Sequence, residues 1–212
     1  MDSCFRAPVT VSLVDYGAGN LRSVANALEF CGIPWRMVKT PQEITSSEKL
    51  LLPGVGSYRQ AMENLSTHGL AEAIVSVVRQ GMPVLGICLG MQLLAETGEE
   101  GGGGPGLGLI RGAVRRIRGE PGLRIPHMGF NSVQQKIAHP VFAGIRDGSD
   151  FYFAHSYHFD APPEKIIGAM EHGGWLAAVV AEGAVWGTQF HPEKSQGNGL
   201  QVLRNFARPP AC

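Results

Sequence analysis

The chain has 212 residues, 44% of them hydrophobic and 17% charged, with 18 Lys plus Arg balanced by 18 Asp plus Glu. That composition excludes a disordered chain, is long enough to bury a substantial core, and lacks the basic surplus of a nucleic-acid binder. No apolar run approaches the roughly 20 residues of a membrane helix, and residues 1–10 lack the apolar centre of a secretory signal.

In chain order, residues 9–15 form a short β-branched apolar run, expected as a strand. Residues 20–30 follow with helical spacing, Leu21, Val24, Ala25 and Leu28 sharing one face. Gly32 and Pro34 interrupt them, and residues 35–38 and 50–52 give two further strands. Residues 59–80 read as helix with a break near Gly69, residues 83–87 as a fourth strand, and residues 90–96 as the start of a helix. Strands separated by helices predict a parallel sheet covered on both faces.

The second half is richer in strands: residues 107–118, 129–133, 151–153, 177–180 and 185–190, before a closing helix marked by Leu200, Leu203 and Phe206. Arg111, Arg115, Arg116 and Arg118 alternate with Val114 and Ile117, which reads as the solvated face of a strand. The glycine-rich residues 98–108 read as a flexible surface loop. No composition shift marks a boundary, so the expectation is one α/β domain over residues 1–212, with antiparallel strands added in the second half.

Cysteines stand at 4, 31, 88 and 212, with no CxxC pair, so neither a disulfide framework nor a zinc site is expected. A reducing cytoplasm suits free thiols. Cys88 stands apart in Pro83-Val-Leu-Gly-Ile-Cys88-Leu-Gly-Met-Gln92. A strand runs into it, a helix leaves it, and Gly86 and Gly90 flank it. This is the cysteine form of a nucleophile elbow, the sharp strand-to-helix turn that exposes a nucleophile. The helix N-terminus favours thiolate, and the Leu89 N–H, free of an intrahelical acceptor, can donate to an oxyanion.

A cysteine nucleophile needs a base close in space, and seven histidines compete. His191 has the best context, in Val185-Trp-Gly-Thr-Gln-Phe-His191-Pro-Glu193. Pro192 disfavours helix at His191. On an extended segment residues i and i+2 point the same way, so Glu193 can hold one ring nitrogen while the other faces Cys88. His155 and His127 are rivals that could line the pocket; His68, His139 and His172 look like loop residues. Two incomplete glycine motifs, Gly54-Val-Gly56 and Gly17-Ala-Gly19, follow strands and could bind an anion or simply turn the chain.

Five segments carry a resemblance: Asp15-Tyr-Gly-Ala-Gly-Asn-Leu-Arg-Ser23, Leu52-Pro-Gly-Val-Gly56, Gly86-Ile-Cys-Leu-Gly-Met-Gln-Leu-Leu94, Ile125-Pro-His-Met-Gly-Phe-Asn131 and Phe190-His-Pro-Glu-Lys-Ser-Gln196. With Tyr152-Phe-Ala-His-Ser-Tyr157, they make residues 9–206 resemble the class I, triad-type glutamine amidotransferases. More closely, the chain resembles the glutaminase subunits of imidazole glycerol phosphate synthase.

The resemblance implies a flavodoxin-like α/β fold, no cofactor and no metal, and a triad of Cys88, His191 and Glu193. It places Gly54, Gly56, Gln92, Glu100, His155, Ser156 and Tyr157 around glutamine, and oxyanion donors at Leu89 and in the Val55–Gly56 stretch. It implies a heterodimer with a separate (β/α)8-barrel cyclase that uses the ammonia in histidine biosynthesis, with Asn20, Phe130, Tyr152 and Lys194 at or near the contact. The cost of leaking ammonia and wasting glutamine predicts a nearly silent isolated chain, switched on by partner plus acceptor ligand. Phe130 stands where the family usually has Trp. Rival readings are a subunit for another acceptor synthase, a non-catalytic scaffold, and a stand-alone γ-glutamyl hydrolase or cysteine peptidase.

Overall fold

The computed structural model describes residues 9–119 and 121–208. The first half comprises β1 (Val11–Val14), α1 (Leu21–Phe30), β2 (Trp35–Val38), α2 (Pro41–Thr45), β3 (Lys49–Leu52), α3 (Tyr58–Thr67), α4 (Leu70–Arg79), β4 (Val84–Ile87) and α5 (Leu89–Leu93). The second half comprises β5 (Thr97–Gly98), β6 (Gly104–Pro105), β7 (Ala113–Arg116), β8 (His127–Gln135), β9 (Ser149–His155), β10 (Tyr157–Asp160), β11 (Ile166–Glu171), β12 (Trp175–Glu182), β13 (Val185–Thr188) and α6 (Gln196–Ala207).

One sheet of nine strands runs β2-β1-β3-β4-β13-β12-β11-β8-β9. The first five are parallel and the rest pair antiparallel. If β13 counts as the fifth strand, the parallel part has the 2-1-3-4-5 order of flavodoxin-like sheets. A smaller sheet runs β10-β7-β5-β6.

Strands β1, β3 and β4 are buried throughout. They read as mostly apolar runs, interrupted by Ser12 and Lys49, because helices cover both faces. Leu50 and Leu52 join the core under α2–α5, whereas Leu51 joins the one under α1 and α6; alternation along a strand sorts them. A third cluster, with Phe142, Phe151, Phe153, Phe190 and Val202, backs the antiparallel strands. Lys49 is buried at the start of β3, and its ammonium donates to the carbonyls of Phe206 (2.6 Å) and Arg208 (2.5 Å), tying α6 to the sheet.

The break expected near Gly69 in the helical region 59–80 is there, with Gly69 at φ 67° between α3 and α4; other elements differ. α2 was unexpected, although Thr40-Pro-Gln-Glu43 is a capping box with Pro at the first helical turn. α5 begins one residue earlier than expected and is only five residues long. The run over 107–118 is a strand only at β7, because Gly108 (φ 62°) and Gly112 (φ 133°) turn the chain before it. β10 and β11 were not foreseen.

Residues 98–108 are not a free surface loop: they supply β5, a 3₁₀ turn at Glu100–Gly102 and β6. A Cβ on Gly98 would lie 2.6 Å from the Tyr58 ring, and one on Gly106 2.1 Å from the Ala95 carbonyl. The glycines there permit close packing. The arginine alternation holds, since Val114 and Ile117 are buried while Arg115 and Arg116 face solvent.

Candidate active site around Cys88

The site lies at the carboxyl ends of the parallel strands, where open α/β sheets bind ligands. Cys88 links β4 to α5 with φ 52° and ψ −108°. A non-glycine residue rarely adopts this conformation, and such strain persists only where the surroundings impose it. The flanking glycines impose it. A Cβ on Gly90 would lie 1.9 Å from the Leu52 carbonyl oxygen, and one on Gly86 would lie 2.5 Å from the Gly90 carbonyl oxygen. α5 therefore sits directly on β3 and β4, and the turn between strand and helix has no slack. The Cys88 N–H donates to the Thr188 carbonyl at 2.7 Å, fastening the turn to the end of β13.

β13 brings in the second group. Ile87 and Thr188 are register partners, so the residues after each strand leave side by side. His191 is buried, and its Nδ1–H donates to Glu193 Oε1 at 2.9 Å. Cys88 is its second polar neighbour. Burial pulls the imidazole pKa down, but the hydrogen bonds and charges of Cys88 and Glu193 outweigh it and raise the value to about 9. Strand alternation does not place Glu193 beside the ring. His191 is extended, but Pro192–Lys194 is a 3₁₀ turn with Pro192 at its start. The turn, not strand alternation, carries Glu193 back to the ring. Ser195 Oγ donates to the His191 carbonyl at 2.7 Å, and the His191 N–H donates to the Tyr152 carbonyl at 2.9 Å.

Cys88 opens into a cavity of about 270 Å³, at the small end of ligand pockets and suited to a free amino acid. Of the expected residues, Val55, Gly56, Leu89, Gln92, Glu100, His155, Ser156 and Tyr157 line it; Pro126 and Met128 join them unforeseen. Gly54 does not line it. It lies beneath, where a Cβ would stand 2.7 Å from Leu89 Cβ and 2.8 Å from Gly90 N. Glu100 accepts from the Tyr58 N–H at 2.8 Å through one oxygen, so it also caps α3. His155 lines the wall and is buried against His127, the two ring nitrogens 3.0 Å apart. Burial holds both rings uncharged, lowering His127 to about 4 and His155 to about 3. Among the described residues, no group of three or more His, Cys, Asp or Glu is placed to hold a metal ion.

The four residues expected at a partner contact fall near one another. Phe130, 52% exposed, meets Tyr152 edge-on at 5.6 Å, and Lys194 Nζ lies 5.7 Å from the Tyr152 ring centre. Asn20 caps α1, accepting from the Ser23 N–H at 3.4 Å, and α1 packs beside the Pro192–Lys194 turn. Met128, 65% exposed, extends this apolar strip to the mouth of the cavity.

One residue of the site escaped the sequence reading. Gln189 is fully buried and stands between Gln92 and Cys88. Its only marker was a polar amide inside an otherwise apolar strand end.

A strained cysteine on a strand-to-helix turn thus stands beside a buried His–Glu pair at the ends of a 2-1-3-4-5 sheet. The family model described as glutamine amidotransferase class-I matches residues 12–209. The imidazole glycerol phosphate synthase subunit HisH of Moorella thermoacetica is 46% identical over 92% of this chain and 93% of that protein. Subunit HisH 1 of Campylobacter jejuni is 45% identical over 93% and 99%, and subunit HisH of Streptococcus gordonii is 45% identical over 92% and 93%. Among solved structures, a glutamine amidotransferase superposes with a TM-score of 0.73 at 20% identity, covering 92% of this chain and 96% of that one. PurLQS from Thermotoga maritima gives 0.72 at 19% identity, covering 94% and 98%. The chain belongs to the class I glutamine amidotransferase family, on the branch of the HisH subunits.

Proposed function

We propose that this chain is the glutaminase subunit of an imidazole glycerol phosphate synthase: it hydrolyses glutamine to glutamate and hands the ammonia to a cyclase in histidine biosynthesis. The observation that carries the reading is Cys88 at the floor of an amino-acid-sized cavity, with the buried His191–Glu193 pair on its other side.

Cys88 Sγ attacks the side-chain amide carbon of glutamine. The thiol proton already sits on His191 as an imidazolium before attack, and the C–N bond breaks as His191 gives that proton to the departing ammonia. Water, deprotonated by His191, then attacks the γ-glutamyl thioester and releases glutamate and the thiol. Glu193 fixes the ring with Nδ1 protonated and stabilises the imidazolium that forms. The Leu89 N–H and an N–H of the Val55–Gly56 stretch hold the oxyanion. Gln92, Glu100, Tyr157 and their neighbours Gly56, His155 and Ser156 hold the substrate.

The partner is a separate (β/α)8-barrel cyclase, seated on the strip of Phe130, Tyr152, Lys194 and Asn20. Protonated ammonia is no nucleophile, so the product passes to the partner shielded from water. The chain acts as one catalytic domain in the cytoplasm; among the described residues no helix is long and apolar enough to cross a membrane.

The test is glutamate release by the purified chain, alone and with the barrel plus its nucleotide ligand. The expected result is strong stimulation by the partner and loss of at least 10⁴-fold, as is typical for deleting a nucleophile, in Cys88→Ala. High activity without partner points to a stand-alone hydrolase, and silence in every condition to a scaffold or another acceptor.

A further inference from the structure

A chain of hydrogen bonds runs behind the cavity and ends on the nucleophile. The His155 Nδ1 lies 2.7 Å from the Tyr157 carbonyl, which can only accept, so Nδ1 carries the proton and Nε2 of this neutral ring accepts. His127 Nδ1, 3.0 Å from it, therefore donates, and His127 Nε2 accepts from Asn131 Nδ2 at 3.2 Å. The Tyr157 carbonyl receives a second donor, Gln92 Nε2 at 3.1 Å. That contact settles which way round the Gln92 amide lies. Its remaining N–H points at Gln189 Oε1, 3.0 Å away. Gln189 is thus left presenting Nε2–H to Cys88 Sγ at 3.6 Å, and it is 0% exposed, so no water replaces the bond.

We propose that Gln189 stabilises the Cys88 thiolate by donating its side-chain N–H to Sγ, and that Gln92 aims it. The inference rests on the reading of Cys88 as nucleophile. The need for such a donor is local. Sγ also faces the Ala154 carbonyl at 3.9 Å, which accepts from a thiol and opposes negative charge. α5 has only five residues, so its dipole is small. Gln189 is neutral at every pH and keeps the anion in place without competing with His191 for a proton. The titratable groups facing Cys88 are His191, backed by Glu193, and Tyr16, which burial keeps protonated and whose hydroxyl donates to the Pro53 carbonyl. Substitution at 189 leaves all three in place.

The experiment is the pH profile of Cys88 alkylation by iodoacetamide in the intact chain, read by mass spectrometry of the Cys88 peptide. Gln189→Met removes the donor, and Gln189→Glu keeps the shape and the acceptor toward Gln92 while replacing the donor with a carboxylate. The expected midpoint moves up by roughly one pH unit in Gln189→Met, a rate loss of about tenfold at neutral pH, and further in Gln189→Glu. With the barrel partner, kcat falls more than KM rises. An unchanged midpoint in a folded variant overturns the proposal.

Wild-type protein supplies a second reading that needs no substitution at 189. The Gln189 side-chain amide resonance should move as Cys88 titrates and stay fixed in Cys88→Ala; a resonance indifferent to that titration also overturns the proposal. Alkylation does not depend on glutamine turnover. If wild-type protein with its partner never releases glutamate, the glutaminase reading fails while the midpoint still decides the role of Gln189.

Discussion

Two sets of buried histidines divide the molecule. His191, on the turn after β13, is pushed up to about 9; His127 and His155, on β8 and β9, are pushed down to about 4 and about 3. All three rings lose their water, and burial alone would keep each neutral. The difference lies in what replaces the water. His191 finds a carboxylate at 2.9 Å and a thiol. His127 and His155 find an amide, a backbone carbonyl, each other, and the stacked ring of His172 at 4.1 Å. The lesson is that burial sets the stakes of a histidine and its partners set the sign. Charge is kept beside Cys88, and is excluded from the wall behind the cavity.

The largest test of this contrast is Glu193→Gln, which turns the surroundings of His191 into those of the other set. Activity should fall by roughly 10²–10⁴-fold, as when the orienting carboxylate of a triad is lost. The alkaline limb of the pH–rate profile should also move. In the wild type the imidazolium persists until pH passes about 9, so its contribution to stability is full below about 6.5 and is lost as pH rises through about 9. In Glu193→Gln the loss should begin at lower pH. An unmoved limb would mean that Glu193 does not hold the proton on His191.

The converse change is Asn131→Asp, which places a carboxylate on His127. In the wild type, His127 is neutral when folded and protonates at about 6.5 when unfolded, so stability present above that pH is lost as pH falls through about 4. The aspartate should raise the titration midpoint of His127, read by NMR, by at least one unit and soften this acid loss. A midpoint still near 4 would show that burial alone decides.

The smallest effect is expected from His172→Gln, which removes a like charge from beside His127. The His127 midpoint should rise by less than the aspartate achieves, with glutaminase activity within twofold of wild type, the range of a surface change away from the chemistry. A larger activity loss would give His172 a role in the pocket that its contacts do not suggest.

How much of this was legible in the sequence follows from which constraints are local. The elbow was readable because Gly86 and Gly90 stand at fixed spacing about Cys88, although Gly90 answers to Leu52 on β3 and only Gly86 to the adjoining helix. Strands β1, β3 and β4 were readable because burial on both faces leaves mostly apolar runs. Glu193 was paired with His191 correctly but through the wrong geometry, since Pro192 starts a 3₁₀ turn there. Residues 98–108 looked like a loop because composition does not show that Tyr58, some 40 positions earlier in the chain, packs onto their glycines (a contact only the fold creates). Gln189 was invisible for the same reason: its role depends on Gln92, Tyr157 and Cys88 converging from three elements, and no spacing encodes that.

The most direct test of the central claim is to quench a reaction of the chain, its barrel partner and glutamine with acid and look for the acyl-enzyme by mass spectrometry. The account predicts a γ-glutamyl adduct on the Cys88 peptide, on no other cysteine, and absent in Cys88→Ala. Glutamate formation that continues in Cys88→Ala, with no adduct on any cysteine of the wild type, would contradict it.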